Sequence, residues 1–425
     1  MTNTIFNKVL YIIMFIVPIA TLPADIFPLY NIVRYVILLG CGITLFIALF
    51  KKRNELKFDK IDKTLLVLLV ILFISTIFSI KPFVSIIGTG NRLEGLLMFC
   101  VYILTYYTAK YYFEYNEKIR KYSIFIIVFV CIIGILQYYN IFPIYHIFNI
   151  KHLSSYSTST FGNSNFFGSF LSMVVPIFMA IYINNSKKRY LFFSGLTFLA
   201  LIASLARSAW VGLAVASIIG LIYVVKNANK YMYIRTLHII CLFIVIFAFI
   251  YKSPEIFSMS NKLNSKIFQT GTDIYQTIEN GELIDTTGSG RIGIWKMAIK
   301  LIPFNPLIGF GPDTFAYAGA YYLPQDMYNC CKASGVIADK AHNEYLQYAV
   351  TIGIPGLFVY LLFIYKILEK QKDIFTNKIT LLFSVAIIAY LVQAFFNIST
   401  IGVAPIFWLL LGLIQNDKFK SKIKI

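Results

Sequence analysis

Four short stretches of the chain hold residue types that can do chemistry. The first is Thr160-Phe161-Gly162-Asn163-Ser164-Asn165-Phe166-Phe167-Gly168. Gly162 permits close backbone approach, and Asn163 and Asn165 can cap a helix or bond sugar hydroxyls; capping alone accounts for them. The second is Arg207, in Ala206-Arg207-Ser208, the one break in a long apolar block. It fits two readings: an arginine that snorkels to anchor a helix end, or a functional charge at the membrane boundary. The third is Arg291, which follows Thr286-Thr287-Gly288-Ser289-Gly290 and opens an amphipathic stretch. Unbonded N–H groups at a helix start beside an arginine suit a phosphate, while a solvated first-turn residue is the plainer reading. The fourth is His342, in Ala341-His342-Asn343-Glu344-Tyr345. It can act as a general base near neutral pH or simply be polar at an interface. His146, His152 and His238 add no His-x-x-x-His spacing and no carboxylate cluster is near, so no metal ligand set and no cofactor is expected.

The composition says what must position these residues. Of 425 residues, 58% are hydrophobic and 13% charged. That is too little charge to cover a soluble domain, so the solvent is lipid. The net charge of +19 does not mark a nucleic-acid binder, because Lys and Arg come as short clusters between long apolar runs. Cys41, Cys100, Cys131 and Cys241 lie inside apolar runs, and the adjacent Cys330 and Cys331 read as ordinary loop residues. Lys8 ahead of an apolar run resembles a signal peptide, but the cleavage site is poor and an uncleaved first helix is expected.

The basic clusters hold most of the 38 Lys and Arg residues. They bound six apolar blocks, each too long for one span of about 20 residues and long enough for two. Twelve transmembrane helices follow, near 5–22, 29–50, 64–80, 93–109, 122–139, 166–184, 190–206, 208–225, 236–251, 345–365, 379–396 and 401–416. Both termini are then cytoplasmic. The expected fold is all-α and integral to the membrane, with a nine-helix region 1–251, an external catalytic loop 252–344, and a three-helix region with tail 345–425. The loop is far longer than most connections, as functional loops are. It carries an expected amphipathic helix from Arg291 to Leu301, with Ile292, Trp295, Met297, Ala298 and Leu301 mostly on one side. Turn signals follow at Pro303, Pro306, Gly309, Gly311 and Pro312.

In this order the pieces resemble the O-antigen ligase family of bacterial membrane glycosyltransferases, related to O-antigen polymerases. The residues are Gly162-Asn163-x-Asn165-x-x-Gly168, Ser204-x-x-Arg207-x-x-Trp210 and Gly290-Arg291-x-x-x-Trp295. They continue with Pro306-Leu307-x-Gly309-x-Gly311-x-x-x-Phe315, His342-Asn343-x-x-Leu346-Gln347 and Gly353-x-Pro355-Gly356. The resemblance implies a polyprenyl-pyrophosphate-linked glycan donor, entering from the outer leaflet of a bacterial cytoplasmic membrane. Arg207 and Arg291 would hold the pyrophosphate, in place of a metal. His342 would orient or deprotonate the acceptor hydroxyl, for attack with inversion, at a pH near the ordinary histidine value of about 6.5 as shifted by its surroundings. Asn163, Asn165, Asn343 and Glu344 would line the substrate site. The acceptor is a lipid, a glycan or a protein; with no long C-terminal extension in view, ligase or polymerase is expected ahead of protein O-oligosaccharyltransferase. A flippase needs charged or broken helices near the midplane, and few ionisable residues lie deep in these spans. A scaffold leaves the loop arginines without a role.

Overall fold

The computed structural model describes residues 2–22, 30–90, 92–141, 157–227, 229–256, 261–280, 288, 290–334 and 337–422. His146, His152, Thr286, Thr287 and Ser289 lie outside them. Among the described residues every regular element is helical. In chain order the helices are Thr2–Tyr11, Ile32–Lys51, Lys60–Ile77, Pro82–Ile87, Leu96–Tyr112, Glu117–Tyr138, Ser164–Asn185, Lys188–Ala203 and Arg207–Asn227. They continue with Lys230–Ile256, Lys262–Asn280, Arg291–Leu301, Phe315–Tyr322, Pro324–Ser334, Glu344–Glu369, Lys378–Ala394, Ala404–Leu413 and Asp417–Lys422.

A helix stands at each of the twelve expected positions, but six are long and apolar enough to span a bilayer: Ile32–Lys51, Glu117–Tyr138, Ser164–Asn185, Arg207–Asn227, Lys230–Glu255 and Glu344–Glu369. The chain is thus a multi-pass membrane protein. Ser164–Asn185 is the central helix, packed on Lys188–Ala203, Arg207–Asn227 and Lys378–Ala394. Small residues permit this closeness, as is usual where lipid offers no hydrophobic drive. A Cβ on Gly168 would stand 2.4 Å from the Ala206 Cβ, so the missing side chain sets Arg207's hairpin directly against the central helix.

Among the described residues, the segment between Ile256 and Glu344 carries four α-helices, one 3-10 turn and a small core. Ile294, Met297, Ala298, Leu301, Phe315, Ala318 and Met327 bury together with Ala341 and Val350. Along Arg291–Leu301, Met297, Ala298 and Leu301 share the buried face with Ile294, while Ile292 and Trp295 are only partly covered. Trp295 is turned sideways, toward the rings of Phe395 and Phe396. Cys330 and Cys331 both lie within the helix Pro324–Ser334.

Two of the glycine motifs dock on each other. Helix Glu344–Glu369 breaks at Gly353, whose φ of 75° is left-handed. There the Phe310 and Gly311 N–H groups donate to the Val350 and Thr351 carbonyls at 3.0 and 2.8 Å, and Ile354 N–H donates to Pro306 O at 2.8 Å. A Cβ on Gly353 would stand 2.5 Å from Leu307 O, and one on Gly309 would stand 2.4 Å from the Thr351 carbonyl carbon. Side chains are excluded by backbone at both positions. Gly353→Ala should lower the thermal unfolding temperature in detergent, by the equivalent of about 1–3 kcal/mol. Gly220→Ala, in open space within a helix, should be neutral or slightly stabilising. Equal effects of the two substitutions would refute the docking argument.

Candidate functional site

The chain turns sharply between Ala203 and Arg207, with Leu205 at φ 55°. Arg207 is thus the first residue of its helix, and its guanidinium reaches the long segment. Nη1 donates to Thr270 Oγ1 at 3.0 Å and to Asp273 Oδ2 at 3.1 Å. Arg207 and the long segment therefore share one side of the bundle.

Arg291 also starts a helix, after Gly290 at φ 80°. Burial first, and then the facing Arg207, lower its pKa to about 10. Among the described residues its guanidinium has no hydrogen-bond or ion-pair partner. A partly desolvated cation facing another cation is an arrangement that an anion relieves.

His342 faces the same charge. It sits in left-handed backbone, φ 49°, held from two sides. Trp295 Nε1 donates to the His342 carbonyl at 3.4 Å, and Gln347 Oε1 accepts from Ala341 N–H at 2.9 Å. Its Nδ1 is buried and unbonded among the described residues. Burial, followed by the Arg291 cation, pushes His342 down to about 4, with Asp339 pulling the other way. Its surroundings thus shift it below the ordinary histidine value, in the direction that favours the neutral imidazole.

The structure thus brings Arg207, Arg291 and His342 together from three separate elements. It gives the asparagines structural duties. Asn163 caps Ser164–Asn185 by accepting from Asn165 N–H at 2.8 Å. Asn343 caps Glu344–Glu369 by accepting from Tyr345 and Leu346 N–H, both at 3.0 Å. Asn165 offers its carbonyl to Asn397 Nδ2 at 3.2 Å. Glu344 is 3% exposed and accepts from the hydroxyls of Tyr348, Tyr360 and Tyr390 at 3.1–3.3 Å.

Sequence reading passed over a second ring of charge. Arg92 pairs with Asp339 through two nitrogens. Lys340 pairs with Glu94 and, at 3.3 Å, with Asp313. Glu94 also accepts from Tyr102 OH and Ser399. Arg34, 1% exposed, donates to Val17 O, Pro18 O and Thr160 O and so fixes the turn before Gly162. Each partner is far away in sequence. The Asp339-Lys340 pair just ahead of His342 was the one local hint.

A polytopic helical protein with two arginines and a histidine converging beside a folded loop suits chemistry on an anionic, membrane-borne substrate. Residues 192–361 match the family model Wzy_C, described as O-antigen ligase. Arg207, Arg291 and His342 fall inside the matched stretch; Asn163 and Asn165 precede it. The chain is also similar to the ComP-specific O-oligosaccharyltransferase of Acinetobacter baylyi, 25% identical over 242 residues. The similarity covers 56% of this chain and 39% of that relative, so the chain spans well under half of the curated relative it matches.

If Asn343 acts as a cap, Asn343→Ala should destabilise by about 1 kcal/mol, and Asn343→Asp should retain most of the stability. Thermal unfolding of the three proteins checks this. An Ala variant of unchanged stability with weakened glycan binding would return Asn343 to the substrate-contact role.

Proposed function

We propose that the protein is a glycosyltransferase. In this reading it moves a glycan from a polyprenyl-pyrophosphate carrier onto an acceptor hydroxyl at the outer face of the bacterial cytoplasmic membrane. The observation that carries the reading is Arg291, without an ion-pair partner among the described residues, facing Arg207 beside His342. A diphosphate supplies the missing negative charge, and each guanidinium can match two of its oxygens.

The reaction would run as an inverting displacement. The acceptor oxygen bonds to the anomeric carbon as its proton passes to a ring nitrogen of His342. The bond from that carbon to the diphosphate oxygen breaks, and its electron pair leaves on the polyprenyl diphosphate. Arg207 and Arg291 stabilise that growing charge, a role a divalent metal fills in other transferases. Asp273 would hold Arg207 in place until the donor arrives. Asn163, Asn343 and Glu344 would shape the site's walls, and Asn165 remains the candidate for a sugar contact.

Ligation to a lipid core and polymerisation of lipid-linked repeats are both compatible with this site. The similarity to an O-oligosaccharyltransferase favours a protein acceptor as a second reading. Transport is set aside because the paired arginines sit at helix starts on one side, next to a base.

Purified protein in detergent, given a polyprenyl-diphosphate-linked glycan and acceptor, should transfer the glycan, and chelators should have little effect. Arg207→Ala and Arg291→Ala should each lower kcat/KM by roughly 100-fold or more. Lys should rescue only in part, having no bidentate fork. Because His342 is neutral above about pH 4 in the free protein, the acid limb of kcat/KM for donor should lie well below pH 6.5. Full activity in either Ala variant removes that arginine from the site, and a limb at 6.5 contradicts the burial of His342.

A further inference from the structure

As a base, His342 must hold a proton among cations. Four charged groups act on its ring from three elements: Arg291 from its helix, Arg92 from the loop before Leu96–Tyr112, and Asp339 and Lys340 from its own loop. Lys340 is answered by Glu94 and Asp313. Among these groups only Asp339 favours the protonated ring.

Asp339 is held with unusual firmness for a loop residue. Arg92 grips both of its oxygens, Nε on Oδ2 and Nη2 on Oδ1, the latter at 3.2 Å. Arg92 is itself fixed, with its guanidinium carbon 5.4 Å from the centroid of the Phe166 ring. Phe166 belongs to the first turn of the central helix, just after Asn163 and Asn165. A line of contacts thus runs from that helix through Arg92 to Asp339, and the carboxylate's field reaches His342. Burial opposes the charge on Asp339, but Arg92 outweighs it and keeps the carboxyl below its ordinary range.

We infer that Asp339, clamped by Arg92, is a positioning residue of the transfer reaction, its carboxylate being the counter-charge that lets His342 carry the acceptor's proton. The inference rests on the reading of His342 as the base. The balance is simple: the proton leaving the acceptor hydroxyl makes an imidazolium beside Arg291, and Asp339 supplies the standing negative charge that offsets it. Arg92 keeps the carboxylate ionised and in place, at the expense of some of its effect on the ring.

The two members of one ion pair then have opposite electrostatic effects on His342, and a positioning role, unlike a merely structural one, carries the Asp339 effect into turnover. The test is the NMR titration of carbon-13-labelled histidine in the full chain in detergent, with the His342 signal assigned by His342→Gln. Asp339→Asn should move the His342 midpoint below the wild-type value, and Arg92→Gln should move it above. Asp339→Glu should stay close to wild type. In the transfer assay, Asp339→Asn should lower kcat by roughly tenfold or more, with donor affinity unchanged and Glu restoring turnover. Midpoints that stay put in both variants, or that shift the same way, overturn the inference. Should Asp339→Asn fail to fold, Arg92→Gln and Asp339→Glu still give the direction of the effect. Wild-type protein that transfers no glycan would instead defeat the functional reading itself, so the two failures are distinguishable.

Discussion

Two guanidinium groups facing each other across a partly dry junction repel, and water is not there in bulk to screen them. Arg207 has Asp273 and Thr270 for company, whereas Arg291 has no such partner among the described residues. Desolvating an unpaired ion costs on the order of several kcal/mol even after the protein relaxes. A fold keeps such a charge where a ligand will meet it. The long segment exists, in this account, to bring Arg291 and His342 to an arginine that the membrane helices already hold at a hairpin tip.

That delivery is mechanical. The hairpin is set by the bare face of Gly168 against Ala206. The long segment is pinned by backbone hydrogen bonds from Phe310, Gly311 and Ile354 at the break in helix Glu344–Glu369. The same helix begins at Asn343, one residue after His342, so the break and the cap together fix where the imidazole stands. Trp295 ties the helix of Arg291 to the backbone of His342. Arg291 and His342 are thereby set by one docked unit, and their charges are coupled: a donor anion on the arginines would alter the proton affinity of the histidine.

Much of this was legible in the sequence, for identifiable reasons. Long apolar runs and clustered Lys and Arg mark helices because lipid leaves the backbone few alternatives. The helix from Arg291 to Leu301 was found to the residue, since Gly290 ahead of it and Pro303 after it punctuate it. The glycine motifs were visible but their purpose was not: Gly309 meets the Thr351 backbone and Gly353 the Leu307 backbone, contacts between segments more than 40 residues apart by their numbering. The pairs Arg92–Asp339, Lys340–Glu94 and Arg34–Thr160 were invisible for the same reason. Periodicity reports on one element at a time, and a buried charge is explained only by its partner. The direction in which His342 is shifted had no local signal, because its environment is made by residues from three elements.

The most direct measurement is the position of the two phosphorus atoms in a complex of the full chain with a short-chain polyprenyl diphosphate, determined by cryo-electron microscopy. The account predicts the diphosphate between the Arg207 and Arg291 guanidiniums, within reach of a sugar whose anomeric carbon faces His342. A diphosphate bound elsewhere, with Arg207 still on Asp273 and Arg291 still without an anion, would contradict it.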